Sequence, residues 1–157
     1  MPKVLTDPGM GRCIGCYSCM LACARMVYND FSPHKSAIQV CTVGGMNGRL
    51  VADICRACPE PVPCVEACPT DALVTREGGR GMKFYRNKCI GCELCVKACP
   101  VHVIGWDEEA ERPILCVFCG QCVEFCPHDC LEMVEVRYVN TNDHERRDSQ
   151  NFGRASP

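Results

Sequence analysis

Cysteines in four repeated runs constrain this chain more than any other feature of its sequence. The chain has 157 residues and 18 cysteines, and sixteen of the cysteines fall into four runs of four. The runs are Cys13-Cys16-Cys19-Cys23, Cys55-Cys58-Cys64-Cys68, Cys89-Cys92-Cys95-Cys99 and Cys116-Cys119-Cys122-Cys126. Prolines follow the last cysteine of three runs, at Pro69, Pro100 and Pro127. Any fold of this chain must therefore bring many thiols together at fixed spacings.

The spacing within each run is that of cysteines that bind cubane iron-sulfur clusters. Three cysteines at intervals of about three residues wrap one corner of a cube, and the cysteine before the proline binds a second cube. Small residues such as Gly15, Gly91 and Gly120 leave room for the cube beside the loop. The fourth cysteine can begin a helical turn that points away from the first cube, and the proline then redirects the chain. We therefore expect four 4Fe-4S clusters, bound by runs that work in pairs.

Other uses of so many cysteines fit the sequence less well. A disulfide framework is typical of shorter secreted chains, and the first residues, MPKVLTDPGMGR, contain no apolar segment of a signal peptide. Zinc sites usually combine two separated C-x2-C pairs and do not need a third cysteine at the same spacing. Cys41 and Cys130 exceed the sixteen ligands, and we expect both to fill the core as small apolar side chains.

Charge and motifs exclude several classes of function. The formal net charge is −2, and sixteen thiolates with four oxidised cores of +2 would bring the holoprotein to about −10. Such a surface repels nucleic acid. No apolar stretch of membrane-spanning length occurs in the sequence, and neither G-x-G-x-x-G nor a GKS/GKT phosphate loop is present. We expect no catalytic site, no nucleic-acid partner and no membrane span.

Secondary structure is expected to follow the runs in an α+β fold of short helices and β-hairpins. Residues 20–28 suit a short helix, and the last 21 residues are polar and lack periodicity, so we interpret 137–157 as a tail or a partner-bound arm. The predicted strands and linking segments are 37–43, 49–54, 72–75, 82–86, 104–106, 113–116 and 131–136.

The distances between runs favour a nested pairing of two ferredoxin-like modules, each with two clusters. Residues 51–110 would form the inner module, residues 1–50 with 111–139 the outer module, and residues 140–157 a C-terminal tail. Pairing of the first run with the second, and of the third with the fourth, stays open. The nested ligand sets are Cys55, Cys58, Cys64, Cys99; Cys89, Cys92, Cys95, Cys68; Cys13, Cys16, Cys19, Cys126; and Cys116, Cys119, Cys122, Cys23.

Three segments carry a resemblance to a known family. CIGCYSCMLAC (13–23), CRACPEPVPCVEACP (55–69) and KCIGCELCVKACP (88–100) resemble the four-cluster iron-sulfur subunits of molybdenum and tungsten oxidoreductases. The compact fourth run is more similar to the small subunit of tungsten aldehyde oxidoreductases than to that of dimethyl sulfoxide reductases, and benzoyl-CoA reductase has a related subunit. The resemblance covers about residues 10–136 and also implies the nested pairing.

The resemblance implies a role and partners for the chain. It would relay electrons between a large tungsten- or molybdenum-pterin subunit and a flavin/NAD-binding subunit or another redox partner, and further copies of the chain are another partner that we consider. A freely diffusing polyferredoxin is the alternative. Because the clusters are oxygen-sensitive and no export signal is recognisable, we expect the protein in the cytoplasm.

Overall fold

Short helices and two-stranded antiparallel sheets make up the fold. The computed structural model describes residues 2–45 and 48–136, and the predicted tail lies outside these residues. The helices of the described part are α1 (Ser18–Tyr28), α2 (Pro63–Glu66), α3 (Leu94–Ala98) and α4 (Gln121–Glu124). Its strands are β1 (Lys3–Thr6), β2 (Gln39–Val43), β3 (Arg49–Asp53), β4 (Leu73–Thr75), β5 (Met82–Phe84), β6 (Gly105–Asp107), β7 (Arg112–Ile114) and β8 (Glu132–Glu135). The prediction of short helices and β-hairpins is confirmed.

Three of the sheets are local hairpins, and the fourth joins the two ends of the described chain. The pairs β2–β3, β4–β5 and β6–β7 each connect neighbours in sequence. By contrast, β1 pairs with β8, so that Val4 lies opposite Val134 and Leu5 opposite Met133. The sequence did not predict β1. This pairing brings the segment before the first cysteine run next to the segment after the fourth.

Helix length depends on whether a proline follows the last cysteine of the run. Every helix includes the third cysteine of its run, and three of the helices span only four or five residues. These three belong to runs that end in a Cys-Pro step, where proline lacks the amide hydrogen that a helix needs. The first run has Ala24 after Cys23, and α1 continues for 11 residues to Tyr28. The additional turns begin with the fully buried Ala24 and extend α1 beyond its cluster-binding loop.

Two groups of buried side chains form the core. The first group comes from both ends of the chain, with members such as Leu5, Ile38, Ile54 and Leu131. The second group is drawn mainly from the central segment, for example Val62 and Leu73. Helix α1 packs against α4 in the first region, and α2 packs against α3 in the second. Cysteines of the four runs belong to both groups, so that the thiols are part of the core.

Candidate iron-sulfur sites

The loops of the four runs share one backbone feature. The residue before the second cysteine has a positive φ in each run, at Gly15, Ala57, Gly91 and Phe118. In three runs the residue after the second cysteine is also left-handed, with φ of 58° at Tyr17, 58° at Glu93 and 80° at Gly120. These left-handed residues on either side of the second cysteine curve the backbone around the cysteines. Glycine is the residue that adopts such values without strain, which explains its recurrence in the runs.

Twelve of the sixteen predicted ligands line three separate cavities. Each cavity combines three cysteines of one run with the fourth cysteine of a different run. Site A contains Cys13, Cys16, Cys19 and Cys126; site B contains Cys116, Cys119, Cys122 and Cys23; site D contains Cys89, Cys92, Cys95 and Cys68. The first and fourth runs therefore exchange their last cysteines in space, and the second run supplies Cys68 to the third.

The other four predicted ligands also lie together, in what we name site C. Cys64 has Cys55, Cys99 and Cys58 as neighbours, and negative charge on these thiolates would raise the pKa of the Cys64 thiol further after burial has raised it. Cys55 is likewise close to Cys58 and Cys99. Site C therefore combines the first three cysteines of the second run with Cys99 of the third.

The third cysteine of each run is buried. Cys19, Cys64, Cys95 and Cys122 are each at most 9% exposed and lie inside a helix. Burial raises the pKa of Cys19 and Cys95 to about 11, and that of Cys64 and Cys122 to about 12. At neutral pH these thiols therefore keep their protons unless a cationic group is bound beside them. Binding of such a group must release protons, as it does when metals bind cysteine.

Hydrogen bonds to sulfur favour the thiolate at two other positions. At Cys68, burial opposes ionisation, but amide donors of Thr70, Leu73 and Ala72 and the Thr70 hydroxyl together lower the pKa. At Cys16, hydrogen bonds from the Ser18 side chain and then its backbone lower the pKa. Hydrogen bonds of this kind also adjust the reduction potential of a bound cluster.

The four sites form a series in which each site has the next as a neighbour, and this series is called the row below. Cys122 of site B has Cys19 of site A among its neighbours. Cys116 of site B is close to Cys55 of site C, so that these two sites adjoin across the junction of the two core groups. Sites C and D share the packed pair α2 and α3 and exchange their fourth cysteines. The order along the row is therefore A, B, C, D.

Several side chains that are not predicted ligands lie beside the sites. Tyr17, His128 and Cys130 line the cavity of site A together with its four thiols, and Trp106 lines that of site D. Cys130 is 3% exposed, and its amide donates a hydrogen bond of 3.3 Å to the sulfur of Cys126. The prediction of a buried Cys130 is confirmed, whereas its place beside site A was not foreseen.

Cys41 corrects one prediction. It lies exposed on β2, with its sulfur 3.6 Å from a carboxylate oxygen of Asp53, and it does not fill the core. The reason is register: Val40 is the buried residue at this point of β2, and alternation along the strand turns the next side chain outward.

The donor set of the sites suits iron-sulfur clusters. In residues 2–45 and 48–136, no group of three or more His, Cys, Asp or Glu side chains has an arrangement that could hold a metal ion. A cubane cluster needs a wider spacing of its ligands than a single metal ion does, because each of its four irons binds one thiolate at a different corner of the cube. Four soft sulfur donors around each of the three cavities meet that need.

Comparisons with protein families agree with this reading of the chain. The family description "4Fe-4S dicluster domain" matches residues 54–104 and 88–131, and "4Fe-4S binding domain" matches residues 10–28. The chain therefore carries several 4Fe-4S binding units. Within the described residues, no helix has the length and apolar character needed to cross a membrane.

Two curated relatives are named as subunits of oxidoreductases. The chain is 36% identical over 138 residues to the thiosulfate reductase electron transfer subunit of Salmonella typhi, covering 77% of this chain and 70% of that protein. It is 35% identical over 133 residues to the polyferredoxin-like subunit of the aliphatic sulfonate oxidoreductase of Pyrococcus furiosus, covering 81% and 75% respectively. A solved active-site complex of benzoyl coenzyme A reductase matches with a TM-score of 0.48 and 17% identity, over 98% of this chain and 94% of that chain.

Proposed function

From the premise that the chain belongs to the polyferredoxin-like electron-transfer subunits of oxidoreductases, we propose that it relays electrons through four 4Fe-4S clusters in sites A to D. Subunits of this family pass electrons to and from a catalytic subunit and have no catalytic site of their own. The single observation that supports the proposal best is the exchange of fourth cysteines between runs, because it gives every site four thiols.

We assign the ligands as nested pairs. The pairing of β1 with β8 and of α1 with α4 supports an outer module from residues 1–50 and 111–139. Packing of α2 against α3 supports an inner module from residues 51–110. The assigned ligands are Cys13, Cys16, Cys19 and Cys126 for site A; Cys116, Cys119, Cys122 and Cys23 for site B; Cys55, Cys58, Cys64 and Cys99 for site C; and Cys89, Cys92, Cys95 and Cys68 for site D.

The protein's contribution to electron transfer is to hold, space and shield the sites. When bound, 4Fe-4S clusters accept and donate single electrons. Buried thiols at the third cysteine of each run hold the sites in the core, away from water. Cys116 of site B and Cys55 of site C are neighbours, so that clusters held by these residues would lie next to each other across the two halves of the subunit. Amide donors to the sulfurs of Cys68, Cys126, Cys55 and Cys116 would help to set the reduction potentials of clusters bound in the four sites.

We propose a large tungsten- or molybdenum-pterin subunit, of the aldehyde oxidoreductase type, as one partner of the relay. A flavin/NAD-binding subunit or another redox partner would take the other end, in the cytoplasm. This finer assignment rests on the resemblance of the three cysteine segments, and the role of the relatives as oxidoreductase subunits supports it.

Copurification under anaerobic conditions tests the proposed function. A tagged chain expressed in its native cells should elute with a large subunit that contains tungsten or molybdenum, and that subunit should reduce the clusters when its substrate is added. A chain that elutes alone, fully loaded with iron and active with several separate enzymes, would instead be a diffusing polyferredoxin.

A further inference from the structure

A groove between three segments has a charge opposite to that of the protein as a whole. It has a volume of about 810 Å³ and lies between the end of α1, the β4–β5 hairpin and the loop of the fourth run. We name it the basic groove. The residues used below are Met26, Arg76, Lys83, Arg86, Val117 and Cys119, which all line it.

Three cations line the basic groove, and none of its lining residues is acidic. Within the described residues, none of the three forms a salt bridge: the ion pairs there involve Lys3, Lys35 and Arg56 instead. A cluster of cations without a salt bridge stands out on a holoprotein of about −10 net charge, because acidic residues outnumber basic ones in the whole chain.

Aromatic rings hold these cations in place. The Arg76 guanidinium lies 4.3 Å from the centre of the Phe118 ring, and that of Arg86 lies 5.8 Å from the ring of Tyr28. The Lys83 ammonium lies 5.3 Å from the ring of Tyr85. A ring positions a cation without neutralising its charge, so that the side chains keep their attraction for an incoming anion.

The groove also reaches the row of sites. Cys116 and Cys119 of site B line it, and Cys119 is exposed. Apolar side chains lie beside the cations: Met26 is 59% exposed and Val117 is 50% exposed. A molecule that fills this groove therefore meets positive charge, apolar surface and the edge of a redox site together. That combination fits a redox protein better than a small anion.

We propose that the basic groove receives an acidic segment of a redox partner subunit, with an apolar side chain packed on Met26 and Val117. Charge complementarity selects the occupant, because the rest of this holoprotein is acidic and would repel the same segment. The proposal rests on the proposed function, since it requires a partner that exchanges electrons with this chain.

Carbodiimide coupling of the native complex gives the most direct test. This reagent joins lysine amines to carboxylates in contact and adds no spacer. Mass spectrometry of the coupled holocomplex should find Lys83 joined to an Asp or Glu of a partner subunit. A complex in which Lys97 or Lys88 is coupled to a partner while Lys83 is not would overturn the proposal and leave the relay function intact.

Paired charge reversals provide the second test. The variant Lys83→Glu with Arg86→Glu should weaken the complex about tenfold or more at low salt and flatten its salt dependence. The control variant, Arg49→Glu with Lys97→Glu, makes the same charge change at two exposed residues outside the groove and should have little effect. Equal effects of the two variants would mean that only total charge matters, which contradicts a specific groove.

Two further results separate the possibilities. Iron content and cluster spectra of the groove variant should match those of the unchanged chain. A weaker complex would then result from the altered groove and not from misfolding. If NADH protects Lys83 of the isolated holoprotein from acylation, the groove binds a nucleotide and the proposal is wrong. If the loaded chain has no partner subunit at all, the proposed function and the groove's occupant both fail.

Discussion

Replacement of Cys68 by serine tests the exchange of ligands between runs. Cys68 belongs to the second run in sequence, yet it lines site D together with the first three cysteines of the third run. Serine keeps nearly the same volume but offers a hard oxygen donor in place of a soft sulfur. The change should therefore damage site D and leave site C, which holds the rest of the second run, intact.

The structure sets the size of the effect. Cys68 lines only one of the three cavities, so no more than one site in four should be affected. Iron should fall from about sixteen per chain to between about twelve and fifteen, depending on whether site D is lost whole or keeps an incomplete cluster. The remaining three sites should keep their spectra.

Matched variants make the assay decisive. Anaerobically purified Cys68→Ser, Cys92→Ser and Cys58→Ser are compared by iron analysis and by electron paramagnetic resonance during stepwise reduction. Cys68→Ser and Cys92→Ser should lack the same signal, and Cys58→Ser should lack a different one. Cys41→Ser, which changes an exposed cysteine outside the four sites, should keep every signal. If Cys68→Ser instead matches Cys58→Ser, the crossed assignment is refuted.

Four further predictions concern Tyr28, Cys130 and the tail. Tyr28→Phe should lower the free energy of unfolding by about 1–3 kcal/mol in anaerobic denaturant titrations. The reason is that the Tyr28 hydroxyl accepts a hydrogen bond from the amide of buried Leu115 (2.7 Å) and donates one to its carbonyl (3.0 Å). A change near zero would contradict this. Since burial raises the pKa of Tyr28 from 10.0 to about 12, unfolding should become easier between those pH values in the unchanged chain, and Tyr28→Phe should lack that component. Cys130→Ala should keep about sixteen irons, since Cys130 lies beside site A as a fifth thiol, and loss of a whole cluster would make it a ligand. Deletion of residues 140–157 should leave all cluster spectra unchanged but weaken assembly with the partner or with other copies. An unchanged complex mass and turnover would show that the tail has no role in assembly.

The cysteine spacing predicted more of this protein than any periodicity did. A loop of three cysteines followed by a fourth before proline fixes where the helices lie and why α2, α3 and α4 end so early. The hairpins were predictable as well, because glycine-rich turns separate β2 from β3 and β4 from β5. In each case the determining residues are close together in the sequence.

Features formed by distant segments were not predictable. The strand β1 has only four residues, and its partner β8 lies 126 residues further along the chain. Nothing local distinguishes such a segment from a loop. Cys41 was misplaced because its side of the strand depends on which face of the β2–β3 hairpin is buried. The sequence did not predict the basic groove, because Met26, Lys83 and Val117 come from three separate segments.

Quantification of iron and acid-labile sulfide in the native complex tests the central claim most directly. Sixteen cysteine ligands in four sites predict about sixteen irons and sixteen sulfides per chain, beyond any cluster in the partner subunits. The chain should be prepared anaerobically and separated from its partners before analysis, with its concentration set by amino-acid analysis. A reproducible value near sixteen is the result that we expect. A reproducible value near twelve would mean that one site binds no cluster, and it would contradict a relay through all four.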